Sequence, residues 1–376
     1  MKNNKHWVSI WGNATSIITN KPERYAKDIT LRYPIYVPFS GKAVRLTFDN
    51  LNGTEDVTIS KVTVMHGGKI YPVYYEGKRE ITIPATEKIV TDELEIEISE
   101  EENLDVSFYL GDYTLMRAGV TSTGPLSKGV YSNGDQTETE NLCTATTNAI
   151  QQFYFLTNVS ILTEKENRAI VCFGDSITAQ AWPDYLKLRL KEEGYKHTAV
   201  IKRGVSGSRM LRQYSCISYE GYGIAGVTRY PHDLPTDGAD TVILLHGIND
   251  IIHPVGEDVN EFRPWSDMPT VDDLIQGFKG YVSLARELGY KVYAGTLLPI
   301  GGWRTEAPFR QEIREKFNEF IRTTDLIDGV IDFEKATQNP ENPRYMIAEY
   351  DSGDHLHPGA AGHQRMAMEI PEELLK

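Results

Sequence analysis

The sequence predicts an α/β protein: a doubly wound, five-stranded parallel sheet, preceded by a β-sandwich of jelly-roll type. Three observations predict it. Short runs in which apolar and polar residues alternate fill the amino-terminal part of the chain. After a charged stretch, Glu164-Lys-Glu-Asn-Arg168, strand-length apolar runs alternate instead with segments of helical periodicity. A Gly-Asp-Ser triplet then closes the first of these runs, where a strand has to turn tightly into a helix.

In the amino-terminal part, Val44, Leu46 and Phe48 alternate with polar partners, as in a strand with one buried face. Val57 and Ile59 alternate likewise. Val62 and Val64 resume after a one-residue slip, which predicts a bulge. The pattern repeats at Ile81 and Ile83, at Leu94, Ile96 and Ile98, and from Leu104 through Val106 and Phe108 to Leu110. Asn52-Gly53 and Gly67-Gly68 supply turns between them. Many short strands at this spacing predict a sandwich over residues 1–164, with no catalytic pattern inside it.

Residues 165–376 change period. The runs Ala169 to Phe173, Thr198 to Lys202, Thr241 to Leu245, Lys291 to Thr296 and Gly329 to Phe333 read as strands. Val271, Leu274, Ile275, Phe278, Val282 and Ala285 follow helical spacing, and so does the segment from Phe309 to Leu326. The alternation implies a parallel sheet covered on both faces by helices. Such sheets gather ligands at the carboxyl ends of their strands, at the switch point. Val171-Cys-Phe-Gly-Asp-Ser-Ile-Thr178 puts Ser176 at that position. Arg203-Gly-Val-Ser-Gly-Ser208 follows the second strand, and Gly247-Ile-Asn-Asp250 the third. With strands one and three adjacent, Ser176, Gly207 and Asn249 converge. Asp354-His-Leu-His357 then arrives on the loop before the last helix. A serine, an imidazole, an acid and spare amide donors are what acyl transfer needs. Turn chemistry alone accounts for any one of these blocks; the four in order do not reduce to it.

The ordered set resembles the SGNH hydrolases, also called GDSL esterases, from about Arg168 to the carboxyl terminus. The resemblance implies Ser176 as nucleophile, with its own N–H, Gly207 and Asn249 as oxyanion donors, and Asp354 and His357 as the acid and base. It also implies a flavodoxin-like sheet and no cofactor. Tyr350-Asp-Ser-Gly-Asp-His-Leu-His-Pro358, with Gly329-Val-Ile-Asp-Phe333, looks like the two-domain branch that includes rumen bacterial (Butyrivibrio-type) 2-O-acetylxylan esterases. That likeness implies an amino-terminal jelly roll of carbohydrate-binding-module type, an acetylated xylan or xylo-oligosaccharide substrate, and a homo-oligomer. Ala179-Gln180-Ala181 departs from the family pattern, which has a glycine after the nucleophile.

Other groups compete for these roles. His355 is the rival base and Asp351 the rival acid; the family's spacing selects His357 and Asp354. His355, His357 and His363 cluster in sequence, but acidic and histidine ligands for a hydrolytic metal are missing at the other strand ends, so no metal is expected. Gly221-Tyr-Gly-Ile-Ala-Gly226 spells a dinucleotide fingerprint, yet Val227-Thr-Arg-Tyr-Pro231 after it does not read as a helix and no strand precedes it, so it is taken as loop. The absence of a GxSxG motif argues against the α/β-hydrolase fold. Trp182 and Trp303 lie near the loops and can stack on a sugar ring or pack in the core.

Composition sets the outer bounds. A net charge of -14 argues against nucleic acid and favours a neutral ligand. Cys143, Cys172 and Cys216 are three, far apart and in no CxxC pair, which fits a reducing compartment. The amino terminus lacks the apolar core of a signal peptide and no later segment reads as membrane-spanning, so a cytoplasmic protein is expected. A lipase or thioesterase for longer acyl chains is the alternative within the same chemistry, although no long apolar lid is visible. A non-catalytic carbohydrate-binding protein would not need the complete set of serine, acid, histidine and donors.

Overall fold

A computed structural model describes residues 5–18, 24–256 and 261–376. Its contacts divide the chain into two compact units, Met1–Ala169 with Lys196–Ile201, and Ile170–Tyr195 with Lys202–Lys376.

The first unit holds two large antiparallel sheets. One runs Lys5–Gly12, Leu156–Glu164, Gly41–Asp49 and Lys88–Val90, with Leu94–Ile98 also paired to Gly41–Asp49. The other has six strands: Asn148–Ile150, Gly129–Asn133, Ile29–Tyr36, Asn103–Leu110, Lys61–His66 and Lys69–Val73. Their apolar faces meet. Phe48 of the first sheet stands edge-on to Phe108 of the second at 5.6 Å, and Trp11 stacks on Tyr33 at 6.4 Å. Alternation is what puts Leu46 and Phe48 on that inner face. The slip after Ile59 is not a bulge. Val57–Ile59 pairs with Ile81–Ile83 in a separate two-stranded ladder, whereas Lys61–His66 enters the six-stranded sheet. The phase changes at Ser60 because the chain changes partners there.

Strands β1 (Arg168–Gly174), β2 (Thr198–Gly204), β3 (Ala239–Leu245), β4 (Lys291–Gly295) and β5 (Gly329–Ile331) form one sheet in the order β2-β1-β3-β4-β5. β3–β4 and β4–β5 pair in parallel. β1 reads as an unbroken apolar run because both of its faces are covered, and Ala169 to Phe173 are wholly buried. The helices are α1 (Ser176–Ala179), α2 (Trp182–Glu192), α3 (Gly226–Asp233), α4 (Ile248–Ile252), α5 (Val271–Glu287), α6 (Pro308–Thr323), α7 (Phe333–Thr337) and α8 (Ala360–Met368). α5 starts where a capping box can form. Thr270 Oγ1 accepts from Asp273 N (3.1 Å), and the Asp273 carboxylate accepts from Thr270 N (2.8 Å). Leu274, Phe278, Tyr281, Val282 and Ala285 then face inward. The order with β1 and β3 adjacent brings Gly174 and Leu245, their last residues, side by side.

One expectation about this part of the chain is corrected. Val227 to Pro231 is helical, as part of α3, with Pro231 inside the helix. A loop does precede it: a 3₁₀ turn over Ile217–Tyr222, with no strand leading into Gly221. All three cysteines are free, and burial pushes the Cys172 thiol up. Among the described residues, no helix is long and apolar enough to cross a membrane.

The turn at Ser176 rests on β2. A Cβ on Gly204 would lie 2.2 Å from Ala179 N and 2.6 Å from Thr178 C, both backbone atoms of the α1 turn. Gly204→Ala is therefore expected to lower stability by about 1–3 kcal/mol, the usual cost of overpacking. Chemical denaturation checks it; an unchanged midpoint would mean that the turn yields freely.

Candidate active site

The site starts at the end of β1. Asp175 caps α1 by accepting the Ile177 N–H at 3.0 Å, which makes Ser176 the first helical residue. Burial pushes the Asp175 carboxyl up to about 7, against the pull of the Ile177 N–H and Arg229. Ser176 is 7% exposed, and its Oγ lies 2.8 Å from His357 Nε2. On the far side of the imidazole, Nδ1 lies 2.6 Å from Asp354 Oδ2. Asp354 Oδ1 accepts from Leu356 N (2.9 Å), His357 N (2.8 Å) and Ser352 Oγ (3.1 Å). Burial works to raise the Asp354 carboxyl, but the His357 imidazole and the two backbone N–H groups outweigh it and hold it low. An ionised acceptor there requires the imidazole proton on Nδ1. Nε2 is then bare toward Ser176, and the hydroxyl donates to it.

The two expected donors, Gly207 and Asn249, follow the ends of β2 and β3. Gly207 has φ +78°, and a Cβ on it would fall 2.0 Å from Cδ1 of Tyr222; both facts demand glycine. Asn249, 2% exposed on α4, donates from Nδ2 to the Ser208 carbonyl at 3.0 Å. That bond fixes the amide plane and leaves one N–H of the amide to serve a ligand.

Beneath these groups lies a buried layer that the sequence reading missed. His246 Nε2 donates to the Ser208 carbonyl (3.0 Å), and Nδ1 accepts from the Tyr281 hydroxyl (3.0 Å). Burial, then Arg229, pushes His246 down to about 3, so it stays neutral. Asp250 accepts from Met210 N (2.6 Å) and Leu211 N (2.9 Å); burial lifts its carboxyl to about 6 against those two bonds. Arg229 donates to the Gly174 carbonyl (2.5 Å), to the Arg203 carbonyl (3.1 Å) and to Asp233 (2.6 Å). One available signal was His246 itself, a polar residue continuing the apolar run of β3. Arg229 and Asp233 carry none, because the sequence reads Val227 to Pro231 as loop, where charged side chains are expected to face water.

The rival residues have other partners. His355 Nδ1 pairs with Asp351 Oδ2 at 2.7 Å, in a half-exposed position with φ +65°. His363 is buried and bonds Gln180 Oε1 at 3.1 Å. His355, His357 and His363 thus point to three different groups. Gln180 occupies part of the segment where the family pattern has glycine. Trp182 is not a sugar platform: it is fully buried at the start of α2, 5.6 Å from the Phe333 ring. Its place in a helix, packed on α7, overrides its nearness to the loop. Trp303 is half-buried and perpendicular to the His357 ring at 6.5 Å, with Arg304 over its face at 4.5 Å.

The chain matches the model of the GDSL-like lipase/acylhydrolase family over residues 172–365, more than half its length. Among solved structures it is similar to a GDSL-like lipase from Bacteroides thetaiotaomicron (19% identity; 56% of this chain and 88% of that one; TM-score 0.36). It is similar also to an acetyl xylan esterase (21%; 54% and 97%; 0.39). A third is a variant of an acetyl-xylooligosaccharide esterase from Geobacillus (18%; 55% and 94%; 0.40). No curated protein matches it.

The depressed basicity of His246 has a direct readout. Because its value lies near 3, His246 should stay neutral, with its proton on Nε2, from about pH 8 down to about pH 5. Imidazole ¹⁵N shifts followed across that range check this. A titration midpoint above about 5 would show that the layer under the donors is open to water.

Proposed function

The chain belongs to the GDSL-like lipase/acylhydrolase family, and from that premise we propose that it is a serine esterase removing O-acetyl groups from acetylated xylan-derived oligosaccharides. The observation that carries the chemical half is the relay from Ser176 Oγ through His357 (2.8 Å) to Asp354 (2.6 Å).

The serine Oγ attacks the acyl carbon while its proton passes to His357 Nε2. Asp354 holds the tautomer and stabilises the imidazolium without taking the proton. The carbonyl oxygen becomes an oxyanion held by the N–H groups of Ser176 and Gly207 and by Asn249 Nδ2. One such donor is worth about 2.7–4 kcal/mol of barrier. Collapse breaks the bond to the sugar oxygen, which leaves with the proton from Nε2. Water then repeats the sequence on the acyl-enzyme, giving acetate and free Ser176.

The carbohydrate half rests on other support. The net charge of -14 disfavours a polyanionic substrate. The half-buried indole of Trp303 lies 6.5 Å from the imidazole that protonates the leaving oxygen in this mechanism, which supports a role for it on the leaving-group side. The motif context around Tyr350 to Pro358 looks like the two-domain 2-O-acetylxylan esterase branch. On that reading residues 1–164 are a jelly roll of carbohydrate-binding-module type, and residues 165–376 are the catalytic domain. The likeness also favours a homo-oligomer, and three cysteines in no CxxC pair favour a reducing, cytoplasmic setting.

Two measurements bear on this. Ser176→Ala and His357→Ala should each lose nearly all hydrolysis of a simple acetyl ester, while His355→Ala keeps more. Asn249→Ala should lower kcat by roughly two to three orders of magnitude with little change in thermal midpoint. Activity surviving in Ser176→Ala would remove the mechanism. For the substrate, acetate release from a panel of acetylated xylo-oligosaccharides is the test, and acetate from those sugars is the expected result. No acetate from any of them would leave the esterase standing and discard the carbohydrate assignment.

A further inference from the structure

We propose that Tyr222 is the residue that limits the length of the acyl group, closing the site behind a two-carbon chain. The proposal rests on the serine-esterase reading above and adds to it the wall that faces the acyl side.

Tyr222 ends the 3₁₀ turn Ile217–Tyr222, in the segment that joins β2 to α3. Its ring lies on the Cα of Gly207, close enough that a methyl group there would meet Cδ1 at 2.0 Å. The same ring stacks on His253, with centroids 5.0 Å apart and planes 30° from parallel. His253 closes α4, and its N–H donates to the Asn249 carbonyl at 3.1 Å. One aromatic ring therefore touches the loop that carries one oxyanion donor and the residue that ends the helix carrying another.

The ring is braced. Tyr219 stacks parallel to it at 6.0 Å, and Tyr214 packs against it at 5.4 Å. Arg263 covers Tyr219 at 4.8 Å and donates to its hydroxyl at 2.6 Å; Arg209 covers Tyr214 at 4.3 Å. Burial, with those arginines next in effect, pushes His253 down to about 3, so its stacking face stays neutral. Tyr222 itself is half-buried, so part of it remains available to a ligand.

The tetrahedral carbon leaves little choice of direction. It carries Ser176 Oγ, the oxyanion, the leaving oxygen and the acyl chain. The leaving oxygen has to reach His357 Nε2, which lies beside Trp303. The oxyanion occupies the donors. On this proposal the acyl chain takes the remaining direction, away from His357, and runs toward the Tyr222 ring that lies on Gly207 and stacks on His253. A methyl group clears such a wall, and a longer chain meets it. Apolar pockets discriminate by about 10–200-fold per methylene, which is ample to define an acetyl enzyme.

The experiment compares kcat/KM for p-nitrophenyl acetate, butanoate and octanoate in the wild type and in Tyr222→Ala, Tyr222→Leu and Tyr222→Phe. The wild type should fall steeply from acetate to octanoate. Tyr222→Ala should raise the octanoate-to-acetate ratio by about tenfold or more, and Tyr222→Phe should keep the wild-type ratio, because the ring and not the hydroxyl forms the wall. A ratio in Tyr222→Ala within about twofold of wild type overturns the proposal. If that variant is inactive on every ester, Tyr222→Leu is held to the same criterion. Ser176→Ala separates the two levels: hydrolysis lost in Ser176→Ala with an unmoved ratio discards Tyr222 alone. Hydrolysis that does not depend on Ser176 discards the esterase reading and this proposal with it.

Discussion

The buried guanidinium of Arg229 is the interaction on which the geometry of the site depends. It is 1% exposed, lies over the Phe173 ring at 4.1 Å and donates to the last carbonyl of β1, Gly174, and to the carbonyl of Arg203 near the end of β2. Its charge is met by Asp233 at 2.6 Å, one turn further along α3. Removing a guanidinium from water costs several kcal/mol, and pairs of this kind seldom add net stability over an apolar replacement. What this one supplies is position. The strand ends that lead to Ser176 and to the Gly207 loop are tied to a single planar group, so the two segments cannot drift apart independently.

The same layer sorts protonation states by environment. His246 and His253 are sealed off and held near 3, so both stay neutral and serve as fixed donors and stacking faces. His357 is different: its side chain is 22% exposed, and a carboxylate stands 2.6 Å behind it. A sealed imidazole is held neutral, so neither His246 nor His253 can take up a proton during a reaction. The carboxyls divide in the same way. Asp175 and Asp250 cap and brace backbone in the interior, where burial lifts them to about 7 and about 6. Asp354 accepts from its imidazole and two N–H groups and is held low. The groups that would have to act and the groups that hold them differ in burial more than in chemical type.

That difference explains what was legible in the sequence. The β1 run, the glycine at 207 and the order of the four blocks follow from periodicity and turn chemistry, which are local, and the structure brings Ser176, His357 and Asp354 within hydrogen-bonding reach. The bracing layer depends on which faces the sheet buries, and no local pattern carries that. Arg229 and Asp233 have the spacing of a surface pair, yet α3 turns them into the core. Trp182 sits two residues beyond Gln180, near a loop, where sugar stacking and core packing both fit the sequence; it opens α2 and packs on Phe333. The slip at Ser60 is likewise a local signature with two physical causes, a bulge or a change of sheet. Only the pairing partners decide between them.

Two acid–imidazole pairs within seven residues show how such choices are resolved. Asp351 and His355 are four apart, and Asp354 and His357 three; in chemistry alone the pairs are equivalent. Backbone separates them. His355 takes a left-handed φ of +65°, uncommon outside glycine, and that twist turns its ring back onto Asp351 and against Gly302. Asp351 meanwhile accepts the N–H groups of Gly353 (2.8 Å) and His355 (3.0 Å), closing a turn on itself. The strained residue thus belongs to the pair that shapes the loop, and His357 leaves that loop aimed at Ser176. The outer pair builds the turn from which the inner pair reaches the serine, so the two are successive layers of one support and not competing bases.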